Sequence, residues 1–188
     1  MVEEALPIFR ELGDDAGVAR CLWAIGSALH MEPRLDEAVA ALDEAIPLFR
    51  KLGETFSLGW ALHTRAVIAV RVGDPDGADR YVREGLEIFS AAGDLSGLTL
   101  LLDDAAAVAD LGGDESRAIR LAGAAAAHQA TIGAGVGTIV GVEEGRNWKQ
   151  LISTDEHRRA WAEGEAMSLE QAVAFALTAP EAARENEA

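Results

Sequence analysis

The stretch Glu4–Asp14, "EALPIFRELGD", decides the fold, because it returns without a gap as "EAIPLFRKLGE" at Glu44–Glu54 and as "EGLEIFSAAGD" at Glu84–Asp94. The interval is 40 residues each time. Phe9, Phe49 and Phe89 share the register, as do Gly13, Gly53, Gly93 and Gly133, and Ala38, Ala78 and Ala118. Self-similarity at a fixed interval of this size marks a repeat architecture, in which each unit buries its apolar face against the next.

Within each interval apolar residues recur at helical spacing in two runs, about 16–31 and 35–52 in the first unit. The turns between runs, "MEPRLDE", "VGDPDGA" and "LGGDESR", hold helix breakers and capping residues, so each unit predicts a helix hairpin. The shared glycine after the second helix predicts a C-cap with positive φ. Pro7 and Pro47 fall late in that helix, with Glu87 in the third copy, and predict a kink in two units and a straighter third. Leu22, Leu62 and Leu102 lie one turn before Gly26, Ala66 and Ala106 on the first helices. Together with Ala38, Ala78 and Ala118 on the second helices, they predict a core of closely approaching helices.

Composition agrees with an all-α chain: of 188 residues 49% are hydrophobic but only 5% aromatic, and alanine recurs in runs. Thirty-two acidic residues against 16 basic give a net charge of −16, which repels a phosphate backbone and excludes nucleic acid as a direct partner. The single cysteine, Cys21, allows no internal disulfide and fits a reducing cytoplasm. The N-terminus carries acids where a signal peptide needs bases, and no apolar run approaches the roughly 20 residues of a membrane span.

The expected organisation is an orphan helix followed by three hairpins over residues 1–133, a helical cap over 134–178 and a disordered tail over 179–188. The orphan helix carries Leu6, Ile8, Phe9 and Leu12 and either exposes them or pairs with a second copy, as a fragment of a larger protein would. The cap reads as three short helices, "VEEGRNWKQLI", "TDEHRRAWAEGEAM" and "SLEQAVAFAL". Ser168 with Gln171 predicts a capping box on the last, and Thr154 or Asp155 caps the one before.

Leu22, Gly26 and Leu29, then Ala38, Leu42 and Ala45, resemble the tetratricopeptide repeat, with a longer period than its usual ~34 residues, few of its aromatics and no closing proline. The resemblance covers roughly residues 2–133 and implies a right-handed α-α superhelix of TPR-like hairpins whose first helices line a concave, ligand-gripping face. A narrower resemblance lies in "RAIRLAGAAAAHQATIG" and "AWAEGEAMSLEQAVAFAL", above all Trp161–Gly164. These are similar to the end of the TPR-like region in actinobacterial multidomain ATPase regulators of the LuxR and AfsR type and related cyclase-associated ATPases. That likeness implies bacterial origin and an ATPase module ahead of the repeats, with a DNA-binding or cyclase module elsewhere. The chain itself has no G-x-x-x-x-G-K-[ST] loop.

Beside the core stripe each first helix has a second stripe whose chemistry differs between units. It carries Arg20, Trp23, Ser27 and His30, then Trp60, His63, Val67 and Val70, then Leu100, Asp103, Ala107 and Asp110. The expected ligand or peptide face is Arg20, Trp23, Ser27, His30, Trp60, His63, Val67 and Asp103. On it Trp23 and Trp60 are either aromatic anchors with Arg20 and His63 as polar partners, or packing between long helices.

Nothing nominates a catalytic centre, metal or cofactor. His30, His63, His128 and His157 are scattered, adjacent acids such as Asp103 and Asp104 or Glu143 and Glu144 point apart on a helix, and G-x-S-x-G is missing. The glycine run "IGAGVGTIVG", 132–141, follows a helical segment rather than the strand a dinucleotide loop requires, and reads as the joint between repeats and cap. The expectation is a cytoplasmic, non-catalytic scaffold that docks a protein, a peptide or other domains of the same regulator. The alternatives are an inducer sensor closed by the cap and a nucleotide-binding enzyme using the glycine run.

Overall fold

The computed structural model describes residues 2–132 and 147–178. Its helices are α1 (Val2–Leu12), α2 (Asp15–Leu29), α3 (Leu35–Leu52), α4 (Thr55–Val72), α5 (Pro75–Ala92), α6 (Leu95–Leu111), α7 (Glu115–Ile132), α8 (Trp148–Leu151), α9 (Asp155–Glu165) and α10 (Leu169–Leu177). The described residues contain no strand. The all-α expectation therefore holds, and helices neighbouring in sequence pack together. The expected cap helix beginning at Val142, the glycine run with Gly133 and the tail from 179 lie outside the described residues, apart from Ile132 at the end of α7.

Five connections share one chemical device. Gly13, Gly53, Gly73, Gly93 and Gly113 all have φ between +67° and +82°, a conformation in which any other residue is strained. Each folds the helix end back on itself. The Gly13 N–H donates to the Arg10 carbonyl and the Asp14 N–H to the Phe9 carbonyl, at 3.2 and 3.0 Å, and the same pair of bonds closes the ends of α3, α4, α5 and α6. The residue after the glycine then starts the next helix. Asp14 accepts from the Gly17 N–H, Asp74 from Gly77, Asp94 from Ser96 and Gly97, and Asp114 from Arg117, at 2.9 to 3.1 Å. Gly13, Gly53 and Gly93 are the predicted C-caps. Gly73 and Gly113 repeat the device inside the hairpins, where the sequence pattern predicted only a turn. The α2–α3 connection differs, since Pro33 stands at that register and His30 ends α2 in a right-handed conformation.

The chain divides into two compact units, Met1–Ile88 and Phe89–Ala188, the division falling inside α5. In the first, α2 packs on α1 and α3, and α3 on α4. Leu42, Leu62, Phe49 and Ile68 are fully buried, with Leu22 nearly so. Gly17 sits directly under the Phe9 ring, where a Cβ would overlap it. Pro7 and Pro47 lie inside α1 and α3 on exposed positions, and both helices continue through them. Two ion pairs clamp second helices together: Arg10 Nη2 donates to both Glu44 carboxylate oxygens at 2.7 and 2.8 Å, and Arg50 donates through Nε and Nη2 to Glu84 at 2.9 and 2.7 Å. Being half-exposed, each is worth at most about 1 kcal/mol.

In the second unit Phe89 covers Gly97, and Leu101, Leu102, Ile119 and Leu121 are fully buried. Helix α9 crosses α7 at two glycines. A Cβ on Gly123 would lie 2.5 Å from the Trp161 carbonyl oxygen, and one on Gly164 would overlap the Arg120 carbonyl. The glycine of the "WAEG" stretch is thus a packing requirement. Arg120 pairs with Glu163 at 2.6 Å beside this crossing. Thr154 caps α9 by accepting from the His157 N–H, and Ser168 with Gln171 forms the predicted capping box on α10. Arg117 holds the far end of α10, donating to the carbonyls of Phe175, Ala176 and Thr178 at 2.8 to 3.0 Å.

The crossing yields a contrast in stability. Gly164→Ala forces a methyl against rigid backbone and should cost about 1–3 kcal/mol in urea unfolding. Gly112→Ala meets nothing closer than 3.5 Å at a helical φ of −77° and should be neutral or stabilise by up to about 1 kcal/mol. Equal effects at the two glycines would contradict this packing.

Candidate functional site

In the first unit the predicted stripes of α2 and α4 come together. The two helices are tied at corresponding ends: Arg20 of α2 donates to Glu54, the residue that starts α4, at 2.9 Å, while Arg71 at the end of α4 donates to the His30 carbonyl at the end of α2. They consequently run parallel. Separated in sequence by α3, they place Ser27 and His30 beside His63 and Arg71.

Along α4 the residues Phe56, Trp60, His63, Val67 and Val70 recur at i, i+4, i+7, i+11 and i+14, which is one helix face. Phe56 is 62% exposed, and its ring lies 6.2 Å from that of Trp60, centroid to centroid. Trp60 in turn meets His63 edge-on at 6.0 Å. His63 is buried, while Trp60, Val67 and Val70 are half-buried. The face thus grades from an open aromatic edge at Phe56 to a covered imidazole. Phe56 was not among the predicted residues, although its spacing to Trp60 and His63 places it in the same stripe.

On α2 the predicted residues divide. Arg20 is exposed but engaged with Glu54. The Trp23 ring turns toward the core, edge-on to Phe49 at 6.4 Å, and its indole N–H is buried with no hydrogen-bond acceptor among the described residues. Trp23 therefore packs between helices, the second of the two roles open to it. Ser27 and His30 are half-buried, and the His30 Nδ1–H donates to the Ser27 carbonyl. Burial, the neighbouring imidazole of His63 and the Arg71 guanidinium push the His30 pKa below its ordinary 6.5, against the opposing pull of the Ser27 carbonyl.

Asp103 belongs to α6 in the second unit, and its carboxylate accepts the Trp148 indole N–H at 3.0 Å. Leu100, one turn earlier on the stripe, is buried. The buried Trp148 thereby pins α8 to this part of the α6 stripe. A pairing across 45 residues leaves no local trace in the sequence.

Among the described residues no three His, Cys, Asp or Glu side chains converge as a metal site would require. None of the described helices is long and apolar enough to cross a membrane. What the α2–α4 face offers chemically is aromatic and aliphatic surface with imidazole groups at one end. No family model, no curated protein and no solved structure matches the chain.

The depressed His30 pKa has a definite sign. The unfolded chain binds a proton at His30 more readily than the folded one, so this group's contribution to stability falls as pH drops through and below 6.5. His30→Gln should flatten that part of the stability profile, followed by urea unfolding. In the native protein the His30 ring resonances should titrate below 6.5. A His30 titration above 6.5 would contradict the described surroundings.

Proposed function

We propose that this chain is a non-catalytic docking module, an array of TPR-like helix hairpins with a period of 40 residues wound as a right-handed superhelix. Its binding face is formed by the first helices α2 and α4 and takes a protein segment or peptide. The observation that carries the reading is the α4 ladder: an exposed phenylalanine set at a tilt against a half-buried tryptophan, on the stripe that differs most between repeats. Aromatic residues that present large rigid surface at low entropic cost are typical binding hot spots. The net charge of −16 favours a basic partner by steering and disfavours nucleic acid.

Ser27, His30, His63 and Val67 frame the ladder, with Arg20 at its near end. The further proposal that the array is the docking arm of a cytoplasmic regulator of the LuxR and AfsR type rests on the likeness around Trp161–Gly164 and the helix after it.

A peptide selected from a displayed random library against the intact protein tests the face. Its affinity should fall about tenfold or more in Phe56→Ala and in Trp60→Ala, measured by calorimetry. Undiminished affinity in both variants would remove the α4 face from the binding site. Neither ATP nor NAD should give heat under the same conditions.

A further inference from the structure

Apart from the aromatic ladder, residues of α1, α2 and α3 line an open hollow of about 360 Å³. Its floor is apolar, made by Leu6, Leu22, Ile25, Leu29 and the small residues Ala40 and Ala41. The carboxylates of Glu37 and Glu44 stand on its rim, held by Arg34 and Arg10.

The positions 40 residues further on show what chemistry this place accommodates. Ala41 corresponds to Tyr81, Ala40 to Arg80 and Ile25 to Arg65. There the Tyr81 ring is partly buried against the core, with the guanidinium carbons of Arg65 and Arg80 5.1 and 5.0 Å from its centroid. Guanidinium–aromatic stacking of this kind is favourable because the ring face is electron-rich. In the first repeat all three contributors are replaced by smaller or uncharged residues, while the flanking clamp is kept, Arg10–Glu44 in place of Arg50–Glu84. At the third copy of the register the arginine is Arg120, and the ring it meets belongs to a different helix, Phe175 of α10 at 5.3 Å. An aromatic ring supplied from a separate segment is thus already part of this protein's chemistry.

We propose that the α1–α2–α3 hollow is a binding site for an aromatic side chain flanked by arginine on a partner peptide. The ring takes the volume that Tyr81 fills one repeat later. The partner's guanidinium groups replace Arg65 and Arg80 and approach a rim of arginine-paired carboxylates on a chain of net charge −16. This inference rests on the forty-residue register of the repeat reading and is independent of the α4 face.

The probe is acetyl-Arg-Tyr-Val-Arg-amide, the sequence of residues 80–83, titrated into the intact protein with methyl-group NMR detection. Saturable shifts are expected at Leu6, Leu22, Ile25 and Leu29, lost in the Ala41→Tyr protein and weakened about tenfold when the peptide's tyrosine is replaced by alanine. Three results would each overturn the site: no saturable shift up to about 5 mM peptide, shifts located on α4 instead, or shifts that survive Ala41→Tyr. A second variant, Ile25→Arg with Ala40→Arg and Ala41→Tyr, transplants the stack into the hollow and should raise the Tm. A lowered Tm would refute the register equivalence and with it the repeat reading, whereas a raised Tm without peptide binding would refute the site alone.

Discussion

The recurring link between one helix and the next, a left-handed glycine followed by an acidic residue, carries the rest of the architecture. A helix end leaves carbonyls without partners and a helix start leaves N–H groups without partners, and burying either costs about 1–3 kcal/mol per group. At Gly13–Asp14, Gly73–Asp74, Gly93–Asp94 and Gly113–Asp114 two residues answer both demands. The glycine turns its own N–H and that of its neighbour back onto the finished helix, and the aspartate side chain accepts from the new one. Gly53–Glu54 keeps the first half of the device and uses its carboxylate differently, to hold Arg20 of α2.

Tight links of constant form make long helices of nearly constant length, and constant length keeps small residues opposite one another. Ala38, Ala78 and Ala118 are each fully buried, as are Ala66 and Ala106, while the larger side chains beside them fill the core. The same constancy brings α2 and α4 alongside each other across α3. The face they share is therefore a consequence of the links rather than of any attraction between Trp23 and Trp60. Its chemistry is free to vary, because the core does not depend on Phe56, Val67 or His30. Where variation removes volume, as at Ala40 and Ala41, the architecture stands and a hollow remains.

Much of this was legible from residue spacing. The buried leucines and alanines, the C-cap glycines at 13, 53 and 93, and the capping box at Ser168 follow from periodicity and local capping chemistry, which act within a few residues. Gly73 and Gly113 were equally available to a search at half the interval. The candidate face was legible as a stripe but not in its orientation. Trp23 sits one helical step from the core stripe, and only the approach of Phe49 decides that its ring turns inward. Asp103 with Trp148, and Gly123 with Gly164, are contacts between distant segments whose partners no local pattern identifies. The hollow was hidden for a simpler reason, since it consists of missing side-chain volume.

The parallel placement of α2 and α4 is the claim on which the proposed binding face depends, and one distance measurement reaches it directly. A nitroxide attached at Met31→Cys in a Cys21→Ser background sits on an exposed position just beyond the end of α2. Paramagnetic broadening of the amide signals should then be strongest at Val70–Val72, where Arg71 reaches the His30 carbonyl, and weak at Thr55–Gly59. Broadening concentrated at Thr55–Gly59 would mean that α4 runs the other way, and the shared face would not exist.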